Sequence, residues 1–394
     1  MSFQHKETPI LCSRCQHIDF RTVLELESSI LKDKWKHGVL VAKINTDNHE
    51  SQLHNCQLCW LFGLMLNTTA RPLSKDWELR AYSSFQGHGY SVVQRLPAAL
   101  RAKDLPRLAL VPSSSTNLDS LKPPVSLLYC IPSEYTYEKI FMPRPIDQKV
   151  NYRILQTWIE ICKEKHRTLC HSRPNETPGL KVIDCRSPGS QLAIVLAPPG
   201  HAYIALSYVW GVPQKQTKDE CRDQASKSSY NSDYQTVIRD AKEVVLQLGY
   251  QYLWVDKHCI DQENDTEKEF FVNSMDKIYS GAELTIVAAA GIDGDFGLPG
   301  VGSRQRRLQP TIQLSDAQLI SCMEHPRNSI MASKWATRAW THQEALLSQR
   351  LLFFTEFETY YECHSMQCRE SISADWSRTE FPFSNYGGYH SFLR

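Results

Sequence analysis

Two Cys-x-x-Cys pairs, Cys12/Cys15 and Cys56/Cys59, fall within the first 66 residues of a 394-residue chain. Four thiolates grouped in this way suit a closed tetrahedral zinc site of the structural kind, with no coordination position left open for a substrate. The other reading is four apolar cysteines in a core, where free cysteine is common. The 40 residues between Cys15 and Cys56 exceed a compact zinc finger, so they must carry structure of their own. A further set, Cys162, His166 and Cys170, with Cys185 downstream, recurs at i, i+4 and i+8 on one helical stripe. That stripe is also the apolar face of the same helix, so core packing is preferred to ligation there.

Other chemistry-bearing residues stand where apolar runs end. YIALSY (203–208) leads through Ser207 and Tyr208 into Trp210 and Gly211, and YLWV (252–255) leads into Asp256, Cys259, Asp261 and Gln262. A helical stretch holding Arg338, Trp340 and Glu344 precedes the apolar run LLFF (351–354). In open α/β sheets, ligands and reacting groups collect at the carboxyl ends of the strands. Trp210 offers a stacking face and Gly211 an unrestricted backbone, although a Trp-Gly pair also serves simple packing. Asp256 suits contact with a hydroxyl, a ribose or a metal, and suits helix capping equally well. Glu344, taken alone, reads as a solvated helix residue paired with Arg338 or Arg350.

The elements that must position these groups alternate. Apolar strands are expected at 203–208, 252–255, 284–290 and 351–354, with helices of 3.6-residue spacing at 235–248, 267–280 and 338–349. That order predicts an α/β fold: a mostly parallel sheet with helices on both faces. A helix from Ile154 to near Pro174 and strands at 107–111, 125–130, 180–185 and 191–196 precede or flank it. The Gly-rich stretch 291–302 lacks dinucleotide-fingerprint spacing and reads as a flexible turn within a polar insertion at 292–334. We divide the chain into a small Cys-rich amino-terminal region (1–66), a β-containing extension (67–150), an α/β domain (151–363, core 201–355) and a tail (364–394).

The net charge of +1 gives no electrostatic ground for a nucleic-acid or membrane partner. Charges run through the first 30 residues and the longest apolar run is Leu58–Leu66, so neither a secretory signal nor a membrane span is legible. With 13 cysteines and no export signal, reduced thiols in the cytoplasm are expected. Walker, G-x-S-x-G and H-E-x-x-H motifs are absent.

The blocks YIALSYVWG (203–211), YLWVDKHCIDQ (252–262) and WATRAWTHQEALLSQR (335–350), in this order, resemble the heterokaryon incompatibility (HET) domain of filamentous fungi, over roughly residues 150–363. LCSRCQHIDF is similar to the amino-terminal Cys motif of many such proteins. The resemblance implies an effector of non-self recognition and cell death, brought into action by a protein partner or by self-association. Trp340-Thr-His-Gln-Glu344 also resembles the W-x-x-x-E segment of Toll/interleukin-1 receptor (TIR) domains, which implies a TIR- or flavodoxin-like core with insertions. In NAD-cleaving TIR proteins that glutamate is catalytic. Carried over, Glu344 would act on the nicotinamide ribose, and Ser207, Tyr208, Trp210, Gly211, Asp256, Asp261, Arg338 and Trp340 would shape the nucleotide site.

Overall fold

The computed structural model describes residues 10–26, 37–45, 55–67, 76–82, 106–114, 116–117, 127–132, 141–171, 177–189, 191–211 and 234–374. Its helices are α1 (Ser13–Gln16), α2 (Phe20–Leu24), α3 (Gln57–Asn67), α4 (Tyr152–Lys165), α5 (Thr236–Gln247), α6 (Asp256–Cys259), α7 (Asp265–Val272), α8 (Met275–Gly281), α9 (Pro326–Met331) and α10 (Ala339–Leu347). The strands are β1 (Val39–Asn45), β2 (Asp76–Tyr82), β3 (Arg107–Pro112), β4 (Leu127–Pro132), β5 (Phe141–Pro143), β6 (Lys181–Asp184), β7 (Ile194–Leu196) and β8 (Tyr203–Ser207). They continue as β9 (Tyr252–Trp254), β10 (Leu284–Ala288), β11 (Thr311–Gln313), β12 (Ala317–Ser321), β13 (Arg350–Phe354), β14 (Thr359–Cys363), β15 (Gln367–Arg369) and β16 (Ile372–Ala374).

Two large sheets organise the chain. The first has strand order β15-β14-β13-β10-β8-β9-β6-β7, and only its centre, β13-β10-β8-β9, is parallel. The second, β1-β2-β3-β4-β12-β11, is antiparallel throughout. The expectation of a mostly parallel sheet is therefore corrected to a mixed α/β architecture whose strand pairs are largely antiparallel. The reason is connection length. Parallel neighbours need a crossover of a dozen or more residues, which α5, α8 and α10 help to supply between the central strands. Short turns link β13 to β14 and β14 to β15, and so force hairpins.

The central strands are apolar on both sides, as YIALS and LTIVA predict, and both are buried along their whole length. On β13, Leu352 and Phe354 join the core that holds Leu155 and Trp158 of α4 and Val244 of α5. Leu351 and Phe353 point the other way, to Trp335 and to Ala345 of α10. Helices thus cover both faces.

Two local expectations are revised. The helix expected over 267–280 breaks into α7 and α8 at Asn273–Ser274, where the Ser274 hydroxyl donates back to the Phe270 carbonyl at 2.8 Å. The Gly-rich stretch is a pinned turn. The buried Asp240 carboxylate accepts from Leu298 N at 2.8 Å, and Gly297 adopts a φ of +77° beside it. A Cβ at Gly297 would stand 2.5 Å from Asp240 Oδ2. Gly297→Ala is expected to lower stability by about 2–3 kcal/mol, combining left-handed strain with displacement of a buried carboxylate. Thermal unfolding checks this, and an unchanged midpoint would mean the turn is loosely held.

The segment 311–321 forms β11 and β12, and β12 pairs with β4, so the polar insertion completes the second sheet. This sheet packs on α2 and α3 through Val23, Leu58, Phe62, Leu79 and Leu128. β1 lies in the interval between the two Cys-x-x-Cys pairs, which answers the need for structure there. Residues 364–374 of the tail supply β15 and β16, and residues 375–394 lie outside the described residues.

Candidate active site and thiol cluster

β8 ends at Ser207, and everything chemically notable on this rim radiates from it. The Ser207 hydroxyl donates to Glu344 Oε2 and accepts from Trp335 Nε1 at 2.7 Å. Glu344 is carried by α10, whose end is tied down where Ser348 Oγ donates to the Glu344 carbonyl at 2.7 Å and contacts Thr285 Oγ1 at 2.7 Å. One residue past Ser207, the Tyr208 carbonyl accepts from Arg338 Nη1 at 3.1 Å, and its phenol donates to Gln235 Oε1 at 3.2 Å. Gln235 Nε2 donates to the Trp210 carbonyl at 2.7 Å. The Trp210 indole N–H in turn reaches both oxygens of Asp256, at 3.1 and 3.2 Å. A single polar network therefore runs from Glu344 to Asp256 across the ends of β8 and β9.

Asp256 opens the short helix α6 and accepts from Lys257 N at 2.7 Å, so it serves the helix start and holds Trp210 at once. Burial raises its pKa to about 6, against the Lys257 and Trp210 hydrogen bonds. Burial likewise raises Glu344 to about 7; the Asp256 charge adds to this and the Ser207 hydrogen bond opposes it. Two carboxyl groups titrating near neutrality on one rim are what acid–base chemistry requires. Neither Arg338 nor Arg350 pairs with Glu344: Arg338 binds the Tyr208 carbonyl, and Arg350 lies near Glu283 and Cys162. Tyr279 of α8 is fully buried beside the Glu344 charge, and burial holds its phenol well above the ordinary range.

Ser207, Tyr208, Trp210, Asp256, Arg338 and Glu344 come together here. Gly211 closes the described part of the loop at a φ of +84°, where a Cβ would meet the Asp293 side chain at 2.9 Å. Asp261 is exposed and its carboxylate accepts from Glu263 N, away from the network. Trp340 is 56% exposed, and the indole that reaches the site is Trp335, on the 3-10 turn Trp335–Thr337. Sequence reasoning passed over Trp335, Gln235 and Tyr279. Two tryptophans five residues apart precede Glu344, and only burial tells them apart.

The amino-terminal thiols also converge. Cys12 and Cys15 flank the start of α1 and Cys56 and Cys59 the start of α3, with all four sulfurs within 4.8 Å of one another. Sulfurs about 2.3 Å from one tetrahedral ion stand about 3.8 Å apart. Cys12 and Cys59 sulfurs are 3.8 Å apart, and those of Cys15 and Cys59 3.5 Å. Cys59 N donates to Cys56 Sγ at 3.4 Å. The contact with Cys59, and then burial, drive the Cys15 thiol far above its ordinary pKa, a burden a bound cation would lift. The set can hold a metal ion.

The fold and rim define an α/β domain whose central parallel strands present a half-buried pair of carboxyl groups, Glu344 and Asp256, at their carboxyl ends. Residues 203–344, from the first residue of β8 to Glu344, match the family model for Heterokaryon incompatibility protein (HET). It is 32% identical over 118 residues to Heterokaryon incompatibility protein 6, OR allele, of Neurospora crassa, a match spanning 27% of this chain and 17% of that protein. It is 28% identical over 156 residues to Vegetative incompatibility protein HET-E-1 of Podospora anserina, spanning 39% of this chain and 10% of that protein. The match thus covers under a fifth of either relative's length. No solved structure matches the chain. Among the described residues, no helix is long and apolar enough to cross a membrane.

Proposed function

We propose that this chain is an effector of non-self recognition in a filamentous fungus, acting in the cytoplasm through its HET domain and switched on by a protein partner or by self-association. The match to the HET family model, with the similarity to two fungal incompatibility proteins, carries this reading. The thiol set Cys12, Cys15, Cys56 and Cys59 would hold a structural zinc ion, supported by sulfur spacings that fit a tetrahedral site.

One observation favours a chemical basis for the effect: Glu344 is held on Ser207, with its pKa near neutrality, in a network that includes Asp256. On the TIR-like reading the substrate is NAD. Its nicotinamide departs as a neutral base with the electron pair of the broken C–N glycosidic bond, so no acid need protonate it. Water adds to the ribose carbon and gives its proton to the Glu344 carboxylate, which also steadies the positive charge developing there. Tyr279, fully buried, lies beside this carboxylate and meets the Trp254 ring edge-on at 5.5 Å. Purified protein, free and clustered, is incubated with NAD and nicotinamide release followed. Wild-type turnover falling at least about a hundredfold in Glu344→Gln supports the reading. No turnover from clustered wild type, or turnover indifferent to Glu344→Gln, overturns the enzymatic part and leaves the HET domain as a binding module.

A further inference from the structure

We propose a second structural zinc site, made by Cys162, His166, Cys170 and Cys363, that fastens the end of α4 to the end of β14. The sequence places only the first three residues near one another. The structure brings Cys363 to them from 193 positions beyond Cys170, so that three sulfurs and one imidazole nitrogen lie within 4.8 Å of one another.

The donor set, its spacing and its charge surroundings agree. Three thiolates and one imidazole form one of the ordinary tetrahedral zinc sets. For a zinc–sulfur bond of about 2.3 Å and a zinc–nitrogen bond of about 2.0–2.1 Å, the sulfur-to-nitrogen edge is about 3.5 Å. Cys363 Sγ stands 3.4 Å from His166 Nδ1. The stripe expected along one helix is not what assembles the set. α4 ends at Lys165, His166 is its C-cap, and a further turn, closed by Cys170 N on the His166 carbonyl at 2.9 Å, swings Cys170 back beneath Cys162. Cys185, the downstream candidate, belongs elsewhere: its thiol faces the Ile183 carbonyl.

Charge makes the stronger argument. Arg350, 4% exposed, directs Nε at Cys162 Sγ at 3.2 Å and Nη2 at the Cys170 carbonyl at 2.5 Å. A neutral thiol is a weak acceptor, and a guanidinium aimed at sulfur fits a thiolate. Arg350 and Lys163 share one carboxylate, Glu283, at 3.4 and 2.8 Å. That trio has an excess of one positive charge. Three thiolates, a neutral imidazole and a divalent zinc carry one negative charge, which balances it. Arg350 is then the hydrogen-bonded outer partner that buried metal ligands regularly have.

The location fits a staple and not a reaction centre. Arg350 opens β13 opposite Cys363 at the end of β14, at the rim where β8 begins, whereas Ser207 and Glu344 lie where β8 ends. All four ligands lie outside residues 203–344, three before and one after, so the ion would close the HET-matched segment into a loop. Fixing ends so far apart in sequence restrains the unfolded chain strongly.

The full chain, purified reduced and reconstituted with zinc, is to be analysed by native mass spectrometry and zinc X-ray absorption. Two zinc ions per chain are expected, with imidazole nitrogen visible in the averaged shell. Cys12→Ser/Cys15→Ser is expected to keep one ion bound by three sulfurs and one nitrogen. Cys170→Ser/Cys363→Ser keeps one ion bound by sulfur alone, while His166→Cys retains both and Cys185→Ser changes nothing. If the Cys170/Cys363 variant fails to fold, the wild type still decides. One ion with a nitrogen ligand supports this site and removes the amino-terminal one. An all-sulfur shell, or no zinc, overturns it.

Discussion

Cys56→Ser is expected to release zinc from the amino-terminal thiol set and to lower the thermal midpoint by roughly 6–12 °C, the shift that about 3 kcal/mol produces in a unit of this size. Structural zinc in small metallo-domains has apparent binding free energies of about 10–16 kcal/mol, nearly all of it expressed as folding free energy. The full amount is not at stake here, because α2, α3 and the second sheet also share a hydrophobic core around Leu58, Phe62, Leu79 and Leu128. What the ion adds is closure: it ties α1 to α3 across the 40 residues that contain β1. Serine offers a poor ligand, and the remaining thiols would sit buried against one another with nothing to stabilise a thiolate. Calorimetry with and without a chelator checks the expectation. A midpoint that is indifferent both to Cys56→Ser and to the chelator would reassign the four cysteines to plain packing.

The central strands were legible because burial on both faces writes itself as a mainly apolar run, and YIALS, LTIVA and LLFF are such runs. Their crossover helices were legible from spacing, as in Val237, Ile238, Ala241, Val244 and Val245, all buried on α5. Sheet direction was not, because it depends on connection length and on which strands become neighbours. β14 and β15 add as hairpins on one edge, and β6 and β7 on the other. No local signal shows that residues 311–321 leave the α/β core to finish a distant sheet. The same distinction governs the sites. Cys12, Cys15, Cys56 and Cys59 announce themselves by paired spacing, whereas Cys363 is invisible beside Cys162 until the chain is folded. At the rim, Ser207, Asp256 and Glu344 could be read from their places after strands or before one. Trp335 and Gln235 act through hydrogen bonds that no spacing encodes.

Replacing Glu344 by glutamine is expected to stabilise the protein above neutral pH while removing whatever chemistry the carboxylate performs. The sign follows from the proton affinities. Glu344 is raised from 4.5 to about 7 and Asp256 from 3.8 to about 6, both chiefly by burial. A carboxyl group whose folded pKa exceeds its unfolded value holds its proton more tightly when folded. Its contribution is therefore whole below about pH 4 and is lost as the pH climbs through 6 and 7. Wild type should weaken between about pH 4 and pH 7. Glutamine keeps the size of the side chain and an oxygen that can accept from Ser207, yet has no charge to desolvate. One pKa unit is worth about 1.4 kcal/mol, and after allowance for the partial exposure of Glu344 the gain at pH 8 is about 1–3 kcal/mol, shrinking toward zero at about pH 4. Urea unfolding of both proteins across this range tests the argument. Parallel stability–pH curves would show that Glu344 is solvated as an ordinary helix carboxylate, whereas curves that part between about pH 4.5 and pH 7 and run parallel above would mark it as a group kept in an unfavourable place for its function.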